Sequence, residues 1–109
     1  DLLVSAYSSS IGATPIVAYC RSPFRGVITG LGVIQNGAVT GTGTVTCAIN
    51  GTAITAGAIT VTAGAAGTEF SVVPTGANAV NEGDIISFTP ASATGTVTGA
   101  CWASIRKND

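Results

Sequence analysis

Apolar and polar residues alternate along most of this chain in short runs with a period of two. Val, Ile, Thr, Tyr and Phe fill the runs, Gly, Pro, Asn and Asp separate them, and helix formers such as Glu, Lys and Met are scarce or absent. This pattern is typical of half-buried β-strands. It predicts strands at residues 2–7, 16–20, 26–35 and 42–49, a short strand from residue 52, and strands at 58–62, 68–73, 85–89 and 95–106.

Turn signals between the runs support this assignment. Asn50-Gly51 is the strongest hairpin signal, because both central residues of a two-residue hairpin turn adopt positive φ. Residues 81–84 form another predicted turn, and Pro90 is expected to end the strand that follows it. The short, regular spacing predicts one all-β domain over residues 1–109, a single antiparallel β-sandwich of about 8–9 strands, with the jelly roll as one arrangement of that class.

The alternation also assigns each strand an inner and an outer face. The fourth predicted strand places Val45, Cys47 and Ile49 opposite Thr44, Thr46 and Ala48. The last places Val97, Gly99, Cys101, Ala103 and Ile105 opposite Thr98, Ala100, Trp102, Ser104 and Arg106. The outer faces therefore carry Thr, Ala and Ser where a monomer exposes Lys and Glu, and we expect a neighbouring protein to cover them.

Charge is the property in which this sequence departs furthest from an ordinary soluble domain. Only 8% of its 109 residues are charged, against about 25% in typical domains. Four basic and five acidic residues give a net charge of −1, so we expect no nucleic-acid partner. The hydrophobic fraction of 46% predicts a folded chain rather than a disordered one. The apolar stretches end well short of the roughly 18 residues of a spanning helix, so we expect no membrane partner.

The sequence lacks the residue patterns that common catalytic sites require. The sequence has no His, which excludes His-based general bases, catalytic triads and metal sites. Glu82 and Asp84 flank Gly83 in a predicted turn; a weak calcium site is the alternative, although hard cations take more oxygen ligands than this. The Gly-rich segments 41–43 and 64–67 lack the Lys-Ser/Thr and the helix of a phosphate loop. We therefore expect neither an enzyme nor a cofactor or small-molecule substrate.

The cysteines support two interpretations. Cys20, Cys47 and Cys101 each lie in an apolar run, and an odd number of cysteines cannot all pair within one chain. We expect buried, reduced thiols that act as small apolar side chains. Disulfide bonding or thiol reactivity is the alternative.

Threonines and aromatic residues also leave alternatives open. The Thr-x-Thr runs at 42–46, 60–62 and 94–98 are expected to be ordinary strand surface, since they recur at no fixed period; an ice-binding ladder is the alternative. Phe70 and Phe88 are expected in the core. Trp102 faces opposite Cys101, so it either lies at an interface or caps a small groove.

Seven turn and strand segments carry a resemblance to a known family. They are Pro23-Phe24-Arg25-Gly26-Val27-Ile28-Thr29, Asn36-Gly37-Ala38, residues 43–54, Ile59-Thr60-Val61-Thr62, Pro74-Thr75, residues 78–86 and Ala103-Ser104-Ile105-Arg106. With these segments the chain from Ser22 to Arg106 resembles the small β-rich head proteins of tailed bacteriophages, known as decoration, cement or head-fibre proteins.

The resemblance implies a non-catalytic virion protein, made in the host cytoplasm, that sits on the outside of a mature capsid. Its partners would be the major capsid protein and copies of itself, as a homotrimer. Residues 1–21 match less well, and we expect them to form an N-terminal strand or an arm that contacts partners. The chain begins without Met and without the basic region of a secretory signal, so we expect a processed N-terminus.

We expect the interface to include exposed apolar, aromatic and basic side chains. These are Leu2, Leu3, Val4, Tyr7, Arg21, Phe24, Arg25, Trp102 and Arg106. Two other functions remain open. One is another phage structural module, such as a tail, fibre or head-spike domain, and the other is a carbohydrate-binding β-sandwich with Trp102 as its anchor.

Overall fold

The computed structural model describes residues 2–8, 17–37, 42–62, 64–91 and 99–107, and β-strands are the regular structure found in them. The strands described are β1 Leu2–Ser8, β2 Ala18–Arg21, β3 Gly26–Gln35, β4 Gly43–Ile49, β5 Thr52–Val61, β6 Glu69–Val72, β7 Ala79–Val80, β8 Ile85–Ala91 and β9 Gly99–Lys107. They form two antiparallel sheets packed face to face. The predicted all-β sandwich is therefore confirmed.

The strand order in the sheets identifies the type of sandwich. Sheet A has the order β1-β9-β3-β6, with β7 also paired to β3, and sheet B has the order β2-β8-β4-β5. The chain is thus one long antiparallel ribbon folded over, in which β1 pairs with β9, β2 with β8, β3 with β6 and β4 with β5. Successive pairs alternate between the sheets, and this is the strand order of a jelly roll.

The core lies between the inner faces of the two sheets. Phe88 and the aliphatic side chains of the long strands fill it, and each fully buried aliphatic side chain contributes about 1.5–3 kcal/mol to folding. In β4, Val45 and Cys47 are buried while Thr44 and Thr46 are exposed, as the alternation predicts. Phe88 is fully buried as expected, whereas Phe70 is half buried and packs against the margin of the core.

The Asn50-Gly51 hairpin forms as predicted. Asn50 has a φ of 49° and Gly51 a φ of 86°, the backbone that a tight two-residue hairpin requires. Ile49 and Thr52 close the hairpin as the first pair of β4 and β5.

The prediction of two separate strands after this hairpin is wrong. Residues 52–61 form one strand, and four residues of β5 face the single residue Cys47 between the pairs Ala48–Ala53 and Thr46–Ala58. Ala56 has a φ of 60°, and a Cβ at Gly57 would lie 2.8 Å from that of Ile54. A bulge interrupts the pattern without reversing the chain, and both halves still pair with β4.

Pro90 does not end its strand, contrary to the prediction. β8 continues to Ala91, and Pro90 pairs with Val45 on β4. On its other side β2 pairs with β8 only as far as Phe88, so in the described part of the chain the proline lies where β8 has become an edge. The predicted start of the last strand, 95–98, lies outside the described residues.

Candidate functional site: the outer faces of the two sheets

The outer face of sheet B, here called the sheet B face, presents mostly small uncharged side chains, with two larger apolar ones, Tyr19 on β2 (65% exposed) and Ile85 on β8 (40% exposed). Its cross-strand rows are Ala91, Thr44 and Thr60; Thr89, Thr46 and Ala58; and Ser87, Ala48 and Ala53. Among the described strand residues of this face, Arg21 at the end of β2 is the one with a charge. The expectation that outer faces carry Thr, Ala and Ser is confirmed here.

The outer face of sheet A, here called the sheet A face, differs in two respects. Its aromatic side chain, Trp102, lies on the interior strand β9 rather than on an edge strand, and the face has a charged residue of each sign. By strand alternation its members are Leu3, Ser5, Val27, Gly30, Gly32, Ile34, Glu69, Ser71, Ala100, Trp102, Ser104 and Arg106. Glu69 and Arg106 lie far apart on this face, and the area between them is uncharged.

Trp102 occupies the middle of the sheet A face. It is paired with Gly32 on β3, and its indole ring covers both Gly30 and Gly32. A Cβ on residue 32 would overlap the indole atoms Cε2, Cζ2 and Nε1, so only glycine leaves room for the ring there. The indole Nε1 donates a hydrogen bond of 2.9 Å to Oε2 of Glu69. The ring is therefore half buried and its polar atom is satisfied.

Most charges lie at one end of the sandwich, here called the charged end. Six of the seven charged residues in the described part of the chain meet there, namely Arg21, Arg25, Glu82, Asp84, Arg106 and Lys107. Two contacts bring the charged segments together. Gly26 pairs with Lys107, and Ser22 N donates a hydrogen bond of 2.8 Å to Asp84 O. Lys107 Nζ lies 6.0 Å from the centroid of the Phe24 ring, a cation–π contact. The sheet faces are thus left nearly free of charge.

The residues expected at an interface are divided among these surfaces. Leu3 is 62% exposed on the sheet A face, where Trp102 also lies. Arg106 is exposed where that face reaches the charged end, and Arg21 and Arg25 are exposed at the charged end itself. The structure therefore does not gather them into one patch.

The remaining expected interface residues lie differently. Val4 and Phe24 are half buried and pack against the core, so they belong more to the sandwich than to its surface. Leu2 and Tyr7 lie on β1 opposite Ile105 and Ala100, and their side chains are outside the described part of the structure. The interface role of all nine residues stays a prediction.

The predicted turn at residues 81–84 is confirmed, and the Asp84 carboxylate holds it. Oδ2 accepts from the backbone N–H of Asn81 at 2.8 Å, and Oδ1 accepts from the side-chain amide of Asn50 at 3.0 Å. These hydrogen bonds lower the pKa of Asp84, and the one from the Asn81 N–H has the larger effect. Among the described residues no three His, Cys, Asp or Glu side chains come together as metal ligands.

All three cysteines are free thiols, as expected. Cys47 and Cys101 are buried, whereas Cys20 on the edge strand β2 is only half buried. Burial raises the pKa of Cys20 to about 11. Burial, aided by the nearby thiols, raises the pKa values of Cys47 and Cys101 to about 12. Such thiols are inert because little thiolate forms near neutral pH.

Sequence reasoning missed two polar residues. Gln35 is fully buried; its Nε2 donates to Ala65 O at 3.0 Å, and its Oε1 has no hydrogen-bond partner among the described residues. The period-two alternation could have predicted this burial, because Gln35 continues the inward positions of Leu31 and Val33. Glu69 was missed because only the tertiary structure brings it to Trp102.

Comparison with protein-family models, curated proteins and solved structures gives no match for this chain. Over the described residues the surface has no cavity. In the same part of the chain there is no helix with the length and apolar character needed to cross a membrane. The outer faces of the two sheets are therefore the features from which a function can be argued.

Proposed function

We propose that this chain is a structural virion protein that binds the outside of a mature tailed-phage capsid and stabilises it, as decoration or cement proteins do. The sheet B face is the observation that carries the proposal. β8, β4 and β5 present mainly Thr, Ala and Ser there, Tyr19 and Ile85 are the larger apolar side chains, and Arg21 at its corner is the charged residue among those described. Exposed sheets of free monomers usually carry Lys and Glu against unwanted contacts, and this face lacks them.

The β5 edge of sheet B favours contact through the face rather than through strand addition. β5 is one of the two edge strands of this sheet, with β2 at the other side, and it carries neither charge nor proline. Thr55 in its middle already exchanges hydrogen bonds with the chain beside it, from Thr55 N to Gly76 O and from Thr75 N to Thr55 O, both 3.0 Å. The adjoining bulge at Ala56 also breaks the regular edge. A partner is therefore better placed on the flat face.

In this proposal the partners are the major capsid protein and copies of the chain itself, as a homotrimer on the capsid surface. Several weak face contacts then add up through multivalency, which suits a clamp across subunit boundaries. The jelly roll supports the proposal to a limited degree, because viral capsid proteins and lectins share it and because a fold alone does not define a function. The proposal includes no catalysis, cofactor, nucleic acid or membrane.

The test is binding to undecorated mature capsids. Purified protein is mixed with such capsids, the capsids are pelleted, and the bound protein is measured against its concentration. The proposal expects saturable binding and capsids that resist heat better when decorated. An absence of binding to every such capsid tested would contradict it.

Two variants connect that binding to the sheet B face. Thr46→Lys puts a charge at the centre of the face and is expected to weaken capsid binding by about tenfold or more, because the charge is buried unpaired at the contact. Ala66→Lys adds the same charge in an exposed turn and serves as the matched control. Equal binding by both variants would exclude this face as the contact.

A carbohydrate-binding function is a second candidate. The observation that favours it is the Trp102 ring lying flat on the sheet A face, the orientation in which an indole can stack on a sugar. A glycan array in which Trp102→Ala abolishes binding would support it. A third candidate, a tail, fibre or head-spike domain, is distinguished by the position of the labelled protein in electron micrographs of the virion.

A further inference from the structure

We propose that the sheet A face is a contact between two copies of this chain, related by a two-fold axis that passes over Trp102. The contact is independent of capsid binding, which we assign to the sheet B face. The contact doubles the number of copies in the assembly, so that a monomer becomes a dimer and a trimer becomes a hexamer.

The two charged residues of the face are placed for such symmetry. Glu69 pairs with Ile34 on β3, and Arg106 pairs with Val27 on the same strand. The midpoint between these positions along β3 falls between Gly30 and Leu31. A two-fold contact brings residue i of one copy to residue j of the other and the reverse. A two-fold axis that lies in the plane of the contact, passes through that midpoint and runs perpendicular to the line from Glu69 to Arg106 places Glu69 of each copy against Arg106 of the other, giving two ion pairs.

The centre of the face is suited to burial. The Trp102 indole covers Gly30 and Gly32, the stretch of β3 in which the midpoint falls. Its N–H is already bonded to Glu69, so a partner can cover the ring without leaving a donor unpaired. A carboxylate accepts about four hydrogen bonds, so Glu69 can still pair with a guanidinium. Tryptophan at the centre of a contact is the usual arrangement of an energetic hot spot.

Exposed apolar side chains border the ring. Leu3 is 62% exposed and lies on β1 opposite Ser104, which itself pairs with Gly30. Val73, directly after β6, is 71% exposed. Large apolar side chains in water at both margins of a face with only two described charges indicate a protein partner more than solvent.

The face is large enough for a specific contact between two copies. The strands of sheet A have different lengths: β3 and β9 have ten and nine residues, β1 has seven, and β6 and β7 have four and two. At about 3.3 Å per residue and about 4.8 Å between strands they cover about 500 Å² of flat area per copy. Two copies bury about 1,000 Å² in total, which is at the lower limit of a biological interface. We therefore expect a weak dimer that forms with rising concentration.

The experiment measures mass and Trp102 emission of the full chain over a concentration series. Sedimentation velocity and native mass spectrometry should show doubling of mass. Trp102 is the single tryptophan of the chain, so its emission reports this face alone. We expect the emission to shift to shorter wavelength and iodide quenching to fall as the mass doubles. A constant mass up to about 1 mM would overturn the proposal.

A charge exchange tests the pairing itself. Glu69→Arg and Arg106→Glu should each weaken the dimer by about tenfold, and the double variant should recover part of that loss, because both pairs are restored with reversed sign while the indole N–H is left without the Glu69 acceptor. Glu69→Gln keeps an acceptor for the indole and separates loss of charge from loss of that hydrogen bond. Thr46→Lys on the sheet B face is the control and should leave the dimer unchanged.

Each result of this set decides the question. Rescue by the double variant supports the contact. A double variant no better than the weaker single variant, or a dimer broken by Thr46→Lys alone, would overturn it. We expect each variant to fold, because all of the substituted side chains are on the surface. Circular dichroism checks this for each of them.

Discussion

The Trp102 indole lies against the backbone of Gly32, its cross-strand neighbour on β3. A glycine inside a strand weakens the strand by about 0.5–1 kcal/mol, because it has no side chain to pack and gains more freedom on unfolding. The indole covers the backbone that the missing side chain leaves bare, so an aromatic residue on one strand compensates for glycine on the next. The pair also holds the ring flat, which creates the central feature of the sheet A face.

Gly32→Ala should remove the ring from this position. The added Cβ overlaps three indole atoms, and we expect a loss of about 1–3 kcal/mol in the free energy of unfolding, together with a longer wavelength of Trp102 emission. Gly30→Ala is the matched control, because its Cβ would lie 3.4 Å from Cζ3 of the ring and is nearly accommodated. Equal effects of the two substitutions would contradict the geometry.

Stability should fall in acid through Asp84. Hydrogen bonds from Asn81 and Asn50 make the pKa of Asp84 lower in the folded chain than in the unfolded chain, where Asp titrates at about 3.9. As the pH falls, the unfolded chain takes up the proton first, so this stabilisation is present above pH of about 4 and is lost below it. Urea midpoints measured from about pH 6 to about pH 2 should therefore decline in acid.

Asp84→Asn separates this effect from general acid unfolding. The variant should be less stable than the parent at neutral pH, and the difference should shrink as the pH falls through the folded pKa of Asp84. Glu82→Gln removes a carboxylate from the same turn without touching the Asn50 and Asn81 contacts, and it should follow the pH dependence of the parent. A constant difference between Asp84→Asn and the parent would contradict the assignment.

The thiols should be unreactive in the folded protein. With pKa values of about 11 for Cys20 and about 12 for Cys47 and Cys101, little thiolate is present near pH 8. An aromatic disulfide reagent should label Cys20 slowly, since that side chain is half buried, and should label the other two only after denaturation. Cys20→Ser should abolish the slow native reaction. Rapid labelling of three thiols in the folded chain would show that they are not buried.

Gln35→Met should leave the protein as stable as the parent or more stable by about 1 kcal/mol. The substitution removes Oε1, which has no partner in the described part of the chain, and fills nearly the same volume, and a buried unsatisfied acceptor costs about 1–3 kcal/mol. The lost contact to Ala65 O is tolerable, because that oxygen also accepts from Thr68 Oγ1 at 2.7 Å. A marked loss in thermal unfolding temperature would show that Oε1 is needed.

The alternation of apolar and polar residues and the turn residues are enough to predict most of the sandwich. A period of two fixed which side chains of β4 and β9 face the core, because a one-residue slip would exchange the two faces of a strand. Asn50-Gly51 determined its hairpin locally, since the turn requires positive φ at both residues. The scarcity of charge on the outer faces could also be predicted, because face assignment and residue type are both local.

Features that depend on pairing between distant segments could not be predicted from the local pattern and are seen only in the folded chain. The bulge at Ala56, the passage of β8 through Pro90 and the order of the jelly roll depend on which strand lies beside which. Glu69 meets Trp102 across Gly32 because β9, β3 and β6 are neighbours in sheet A, although 33 residues separate the two side chains in the chain. Local alternation carries no information about such pairs, because register between strands is set by packing of the whole core.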